Sequence, residues 1–400
     1  MAKQRSDNSV FKKFFESEKS SGLVLIAFTI LSLLLANSSI KHSYTEFWEY
    51  SLGGMKIEHW VNDGLMAVFF LLVGLELKRE FLVGELSSLK KATLPIFSAL
   101  GGMLIPAGIF VFVNLGKPTV SGFGIPMATD IAFALGALSL LGNKVPLSIK
   151  VFLTALAVID DLGAIVVIGV FYTKTIFWLN FAIAIAIFGT LLILNKLKIT
   201  SLLIYVPLGI VMWYFMLHSG IHATITGVLL ALAIPAFSKN TKTESPSHRL
   251  QHLLHYPVPF VILPLFALVN TAIDIGPNWD KALFSDASLG IILGLVLGKP
   301  IGIIVFTWIS IRFKFADKPA GTTWSQLFGV GILGGIGFTM SIFVTILAFT
   351  DKEIINDSKF AILISSLLAG LIGYLWLKAS FKDRPKTKKP QKARLKGSSN

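Results

Sequence analysis

The sequence predicts an all-α polytopic membrane protein with twelve transmembrane helices, two of them interrupted within the bilayer. Three observations predict this fold: the composition, a series of twelve apolar runs, and an uneven distribution of Lys and Arg. Hydrophobic residues make up 54% of the 400-residue chain and charged residues 14%, whereas soluble domains carry about 25% charged residues. The composition therefore excludes a soluble globular protein, and it also excludes a disordered one.

The apolar runs set the number of spans, because a helix needs about 20 apolar residues to cross the hydrocarbon core. The runs are continuous rather than alternating, which favours helices over a transmembrane barrel. The first run resembles a signal peptide, but its long leader carries acids as well as lysines, which favours an uncleaved span. In order, the runs cover residues 22–37, 60–83, 94–115, 122–142, 146–172, 176–195, 201–217, 219–237, 256–275, 288–311, 326–349 and 360–379.

Lys and Arg predict the orientation of the spans. With the N-terminus in the cytoplasm, 28 basic residues fall inside, 7 fall outside and Lys299 lies within a span. This positive-inside bias places both termini in the cytoplasm. It also explains the net charge of +14 without nucleic-acid binding. We therefore expect a cytoplasmic segment at 1–20, a membrane domain at 21–380 and a disordered basic tail at 381–400.

Two short runs flank Gly53-Gly54 in the first outer loop and predict a small hairpin. A dimer contact and a plain surface turn both fit this hairpin. The chain has no Cys, which removes disulfides and thiolate metal sites. Gly329, Gly331 and Gly334 match a dinucleotide fingerprint, but they lie inside an apolar run with no preceding strand. No cofactor is expected.

Asp160 and Asp161 are adjacent acids in the fifth run, where ionisable groups are costly and usually mark function. Asp160 lies 13 residues after Leu147, about 20 Å along a helix, which places the pair near the bilayer midplane. Two neighbouring carboxylates do not both ionise cheaply in a low dielectric. A small hard cation offers the alternative neutralisation, so protons and a cation would compete for one site. A salt-bridged or protonated pair that serves packing alone is the alternative.

Two runs are interrupted by Gly and Pro. The fourth contains Gly122, Gly124 and Pro126 before Thr129 and Asp130, and the eleventh contains a series of glycines from Gly329 to Gly337. Interrupted spans in corresponding positions indicate an inverted-repeat transporter with its site where the broken helices meet. Asp130 would compensate the positive ends of the half-helices. Close helix packing explains the glycines equally well.

Lys299 is the one basic residue deep in a span. It follows Gly290, Gly294 and Gly298 and precedes Gly302, and this four-residue spacing lets a neighbouring helix approach closely. A buried Lys pairs with a carboxylate or loses its proton. Asp130, Asp160 and Asp161 are its candidate partners, and a structural and a proton-carrying role both remain open.

Groups at the predicted cytoplasmic side suggest a response to pH. Glu76 and Glu80 are four residues apart and share a helix face, where they would form an acidic mouth. His248, His252 and His255 have i, i+4, i+7 spacing and titrate near physiological pH. Ordinary solvated helix ends explain the same residues.

Several longer motifs resemble those of the NhaA-type sodium/proton antiporters of bacteria, from about residue 10 to 380. They are Val73–Glu80 (VGLELKRE), Ala128–Leu135 (ATDIAFAL), Ile159–Ile165 (IDDLGAI), Ser219–Thr224 (SGIHAT), Gly298–Pro300 (GKP) and Gly334–Ser341 (GGIGFTMS). NhaA-type antiporters are themselves a standard example of inverted-repeat transporters, so the two inferences are not independent. One stretch departs from the family pattern: Gln251 stands between Leu250 and His252, where an acid is expected.

The resemblance implies inverted-topology repeats formed by the third to fifth and tenth to twelfth helices, with the broken fourth and eleventh crossing at the midplane. It implies export of cytoplasmic Na+ or Li+ against external H+ by a homodimer in the inner membrane, with pH regulation. The implied residues form three groups. They are Asp160 and Asp161 for ion and proton exchange; Thr129, Asp130 and Lys299 around that site; and Glu76, Glu80 and His222 for the pH response.

Rival classes fit less well. A cation channel would need a continuous pore, and no repeated filter loop is present. An intramembrane aspartyl protease requires Gly-x-Gly-Asp, whereas Ala128 and Thr129 precede Asp130; a prenyl transferase requires further acids after Asp161, where Leu162 and Gly163 follow. Among transporters, a different cation or an organic substrate is the alternative.

Overall fold

The computed structural model describes residues 20–173, 175–237, 244–277 and 279–381. The predicted N-terminal segment (apart from residue 20) and the basic tail (apart from residue 381) lie outside these ranges. The described helices are α1 (Ser20–Ala36), α2 (Lys41–Glu49), α3 (Ile57–Val83), α4 (Leu89–Val113), α5 (Pro118–Met127), α6 (Ile131–Ser139), α7 (Leu147–Phe171), α8 (Trp178–Lys196), α9 (Leu202–Leu217), α10 (Ile225–Ala233), α11 (Pro246–Asn270), α12 (Trp279–Leu283), α13 (Asp286–Arg312), α14 (Trp324–Gly334), α15 (Phe338–Ala348) and α16 (Lys352–Ser380).

The prediction of a helical polytopic membrane protein is confirmed. Seven described helices are long and apolar enough to cross a membrane, and the number rises to ten if each bent helix pair counts as one span. Each of the twelve apolar runs contains a described helix, but α10 is only nine residues long. The count of twelve spans stays a prediction.

Two bent pairs are the interrupted spans expected from Gly and Pro. The pair α5–α6 bends by 42° and the pair α14–α15 by 44°. The backbone is extended at Ala128 and at Asp130, between α5 and α6. The third pair, α1–α2, turns by 114°, and α2 is a polar helix that buries no residue.

The glycine series before and after Lys299 does bring a neighbouring helix close. A Cβ on Gly302 would lie 2.1 Å from the Gly101 carbonyl oxygen, and a Cβ on Gly298 would lie 2.9 Å from Pro106 Cα. The neighbour is therefore α4. Residues 294–298 of α13 also wind as a π-helix, which ends directly before the buried Lys299. Such widened turns are frequent at functional sites.

Strands β1 (Ser51–Leu52) and β2 (Met55–Lys56) form the small hairpin predicted around Gly53-Gly54. Gly53 and Gly54 have φ of 62° and 86°, the left-handed conformation that a two-residue hairpin turn requires. The Trp60 indole N–H donates to the Leu52 carbonyl at 2.9 Å. This hydrogen bond connects the hairpin to the start of α3.

Lys78 has a structural role that the sequence does not reveal. Its ammonium donates to the carbonyl oxygens of Ala231 at 3.2 Å and Leu232 at 2.8 Å, and to that of Ile234. These carbonyls belong to the C-terminal end of α10, where a cation compensates the helix dipole. A side chain of α3 thereby caps the C-terminal end of the nine-residue helix α10.

We predict that Gly302→Ala destabilises the protein, because the new methyl group would meet backbone atoms of α4 that cannot rotate away. Overpacking of this kind costs about 1–3 kcal/mol, and thermal unfolding in detergent would measure it. Gly108→Ala on α4 is the matched control, since a Cβ there has nothing within 4 Å. Equal melting temperatures for the two variants would contradict the close packing of α4 and α13.

Candidate functional site

Asp160 and Asp161 lie near the middle of α7, and each is 1% exposed. Lys299 of α13 is fully buried and forms an ion pair with Asp160 Oδ2. Of the three acids that the sequence offered as partners, the structure therefore selects Asp160. The charges of Asp160, Asp130, Lys299 and Glu76 act on Asp161.

Thr129 connects the broken helix to this ion pair. Lys299 Nζ donates to Thr129 Oγ1 at 2.6 Å. The single hydroxyl hydrogen of Thr129 has two acceptors within reach, Asp160 Oδ2 at 2.6 Å and the Gly334 carbonyl oxygen at 2.9 Å. Since Gly334 ends α14, the hydroxyl joins the carboxylate site to the negative end of a second half-helix.

Asp130 accepts hydrogen bonds at the starts of two half-helices, α6 and α15, which are their positive ends. Its Oδ1 accepts from the Phe133 amide of α6 at 2.9 Å, and its Oδ2 accepts from the Thr339 amide of α15 at 3.1 Å and from the Thr339 hydroxyl. Its own amide donates to the Ile336 carbonyl at 2.7 Å. One residue thus holds the two breaks together.

Two hydroxyl groups that the sequence analysis assigned no role complete the crossing. Ser341 Oγ donates to the Ile125 carbonyl at 2.7 Å, and Ser366 Oγ accepts from the Phe338 amide at 3.1 Å. They satisfy backbone groups that the interrupted helices leave unpaired, which is required inside a bilayer. The Gly334–Ser341 motif signals the first, but nothing in the sequence around Ser366 distinguishes it from other serines in apolar helices.

Two buried carboxylate oxygens lack a hydrogen-bond partner among the described residues. They are Oδ1 of Asp160 and Oδ1 of Asp161. A buried polar atom without a partner is costly, and a proton or a hard cation would relieve that cost. The described residues contain no group of three or more His, Cys, Asp or Glu side chains placed to hold a metal ion.

A cavity of about 350 Å³ opens at the end of α3 that carries Lys78 and Arg79. Its wall reaches Val158 and Ile131, which lie within two residues of Asp160 and of Asp130. Five of the six residues proposed for a pH response line this cavity. They are Glu76, Glu80, His248, His252 and His255.

Gln251 also lines this cavity, where its side chain lies against that of Glu76. The residue that departs from the expected family pattern therefore contacts a predicted pH-response residue directly. Arg79 pairs with Glu80 at 2.9 Å, so the mouth of the cavity carries both signs of charge.

His222 lies apart from this cavity, in the segment between α9 and α10 and beside the C-terminal end of α7. Its Nε2 is 3.2 Å from the Tyr172 carbonyl oxygen. The Tyr172 hydroxyl accepts from the Gly124 amide of α5 at 3.1 Å. His222 is therefore linked through Tyr172 to the first half of the broken span.

Comparisons with known proteins confirm the resemblance. The family model described as Na+/H+ antiporter 1 matches residues 12–377. A Na(+)/H(+) antiporter NhaA of Flavobacterium psychrophilum is 60% identical over 374 residues, which cover 94% of this chain and 97% of the relative. Proteins of the same name from Cytophaga hutchinsonii and Dechloromonas aromatica are 59% and 56% identical, cover 94% and 92% of this chain, and are each matched over 96% of their length.

We predict that Lys299→Met and Asp160→Asn each destabilise the protein by about 3–5 kcal/mol, because each leaves one buried partner uncompensated. The double variant is expected to recover most of this loss, since both charges are then absent. Thermal unfolding of the four proteins would give the coupling between the two residues. The exposed pair Lys352–Glu49, at 3.5 Å, is the control and should show coupling of about 0–1 kcal/mol. Additive losses at positions 160 and 299 would contradict the buried ion pair.

Proposed function

This chain belongs to the Na+/H+ antiporter 1 family, and from that premise we propose that it exports cytoplasmic Na+ or Li+ in exchange for external protons. We place it in the inner membrane of a bacterium, with both termini in the cytoplasm. The observation that carries the proposal is the pair of unpartnered Oδ1 atoms on Asp160 and Asp161. The alternative cargoes, another cation or an organic substrate, have no specific observation in their favour.

The donor set fits a cation that must be released as well as bound. The proposed ligands are the unpartnered carboxylate oxygens of Asp160 and Asp161 together with the Thr129 hydroxyl, which contacts Asp160 Oδ2 at 2.6 Å. Such hard oxygens suit small hard cations. A transported ion needs a site that is favourable enough to enter and weak enough to leave. A few oxygens shared with a lysine meet that requirement better than a closed ligand cage.

The exchange follows from charge balance at the acid pair. While the site faces the cytoplasm, Na+ enters through the cavity and displaces protons from the carboxylates. While it faces outside, Na+ leaves and protons return. Since neither state leaves two bare negative charges in the low-dielectric interior, protons and Na+ exclude each other.

The surrounding groups have supporting roles in this proposal. Lys299 compensates Asp160, and Thr129 shares its hydrogen between that carboxylate and the end of α14. Asp130 is a positioning residue, because its oxygens already accept from the starts of α6 and α15. Alternating access then requires the crossed half-helices to move relative to their neighbours while Asp130 keeps them joined.

We also propose a homodimer through the outer hairpin. The strands β1 and β2 pair only with each other among the described residues, so each leaves an edge that a second copy can extend. The exposed side chains of Leu52 and Tyr50 lie on or beside it. Deletion of residues 51–56 should convert the dimer to a monomer in size-exclusion chromatography with light scattering, and an unchanged mass would contradict this contact.

We predict that Asp161→Asn abolishes exchange, because an amide neither releases a proton nor neutralises Na+. Sodium-induced recovery of a quenched pH dye in everted vesicles would measure it. Asp280→Asn, at an exposed residue of α12, is the matched control and should retain normal exchange. Undiminished dye recovery by the Asp161 variant would contradict the two-carboxylate site.

If more than one proton exchanges for each Na+, the cycle moves net positive charge inward, and an inside-negative voltage drives sodium out. The available energy is about 2.3 kcal/mol per charge per 100 mV. We predict that a potassium diffusion potential set by valinomycin accelerates sodium exit from proteoliposomes when the cytoplasmic side is negative. A rate independent of voltage would indicate one-for-one, electroneutral exchange.

We propose that the cavity lined by Glu76, Gln251 and the three histidines regulates exchange by pH, and we predict that Gln251→Glu shifts half-activation to higher pH. An added carboxylate beside Glu76 stabilises the protonated forms of its neighbours, so a higher pH is needed to remove those protons. Exchange assays from pH 6 to 9 would measure the shift. Gln251→Met removes the amide without adding charge, and equal profiles for the two variants would contradict an electrostatic effect.

A further inference from the structure

A second cavity, of about 470 Å³, lies away from the ion site, between α4, α7 and the segment that joins α13 to α14. Its apolar wall includes Leu94 and Pro95 of α4 and Leu147, Val151 and Phe152 of α7. Leu147 is half exposed, so the wall continues onto the outer face of the helices. This cleft plays no part in the exchange described above.

The rim of the cleft is basic. Lys90 and Lys91 line it and are exposed, and Asp317 is the acid that lines it. Lys150 is half-buried and directly precedes Val151, and Lys318 directly follows Asp317. Among the lining residues and their direct neighbours in the chain, lysines therefore outnumber acids by four to one.

In the proposed orientation, the sequence around the cleft places it where the hydrocarbon core meets the polar region. Lys90, Lys91 and Lys150 mark the ends of α4 and α7, whose following residues are apolar. Phe97 of α4 stacks on Phe315 with ring centroids 5.7 Å apart. Phe313 and Phe315 are 65% and 55% exposed, and aromatic rings exposed beside lysines are typical of a membrane boundary rather than of a water-facing loop.

We propose that this cleft binds an anionic phospholipid of the cytoplasmic leaflet. The lysine rim complements a phosphate-bearing headgroup, and the apolar wall accommodates an acyl chain; basic pockets between transmembrane helices on the cytoplasmic side bind such lipids. The inference rests on the proposed orientation and not on the exchange activity. The wall of the cleft extends along α7 to Ala155, which lies five residues, or about 7.5 Å, before Asp160. A bound lipid would therefore stabilise the helix that carries the acid pair.

Lipid binding would be tested by titrating the purified protein in neutral detergent with dioleoyl phosphatidylglycerol and following its melting temperature. Replacing Lys90 and Lys91 together by Gln should raise the lipid concentration needed for half-maximal stabilisation by roughly tenfold to thirtyfold, as expected for the loss of two surface lysines. The matched control replaces Lys196 and Lys198 by Gln, two exposed lysines at the same predicted side of the membrane, and should titrate like the wild type.

Equal titration curves for the two double variants would overturn the proposal, because the lipid would then be attracted by the positive charge of the whole cytoplasmic face and not by the cleft. A wild-type shift produced by inorganic phosphate alone would also overturn it, since the lysines would then bind a free anion. A second measurement uses the wild-type protein, so a misfolded variant cannot affect it. Phosphatidylglycerol with a diazirine-bearing acyl chain, incorporated in nanodiscs, should label residues 90–95 and 147–155 more strongly than the other lipid-facing helices. Uniform labelling would contradict a site.

Discussion

The structure depends on one constraint: every charged or unpaired polar group at the centre of the bilayer must find a partner inside the protein. Interrupting two helices there frees backbone groups, and placing three acids and a lysine beside them adds charges. The crossing of α5–α6 with α14–α15 answers both demands except at Oδ1 of Asp160 and of Asp161. Asp130 accepts from the starts of two half-helices, and Thr129 joins the end of a third to the Lys299–Asp160 pair. Close packing of α4 on α13 at Gly101 and Gly302 brings the lysine to that crossing.

The three buried acids differ in how completely the protein satisfies them, and that difference separates their roles. Both oxygens of Asp130 accept hydrogen bonds, so it is committed to holding the helices. Asp160 uses Oδ2 for Lys299 and Thr129 and leaves Oδ1 without a partner among the described residues. Asp161 has its Oδ1 unpartnered too and lies in the field of three other acids as well as the lysine. The unmet hydrogen-bonding capacity of the carboxylate therefore increases from Asp130 to Asp161, although all three are the same residue type, and the proposed exchange uses the two acids with unpartnered oxygens.

Much of this arrangement follows from local sequence, because helix breaks, glycine spacing and buried charges have signals at short range. The break before Ile131, the close approach at Gly302 and the compensating role of Asp130 were all predictable on those grounds. The choice of Asp160 over Asp161 as the partner of Lys299 was not, since it depends on how α7 and α13 are rotated against each other. The Gln251–Glu76 contact, the capping of α10 by Lys78 and the separation of His222 from the cavity also depend on distant segments. The apolar run at 219–237 predicts a span, yet it folds only as the nine-residue α10, because hydropathy does not reveal how much of a run is loop.

The central claim is that a proton and an alkali cation exclude each other at Asp160 and Asp161. Isothermal titration of the detergent-solubilised protein with Li+, repeated at several pH values and in buffers of different ionisation enthalpy, tests it most directly. We expect Li+ binding to release protons into the buffer and the apparent Kd to rise as the pH falls. Lithium binding with the same Kd at every pH, and a heat that does not depend on the buffer, would contradict it.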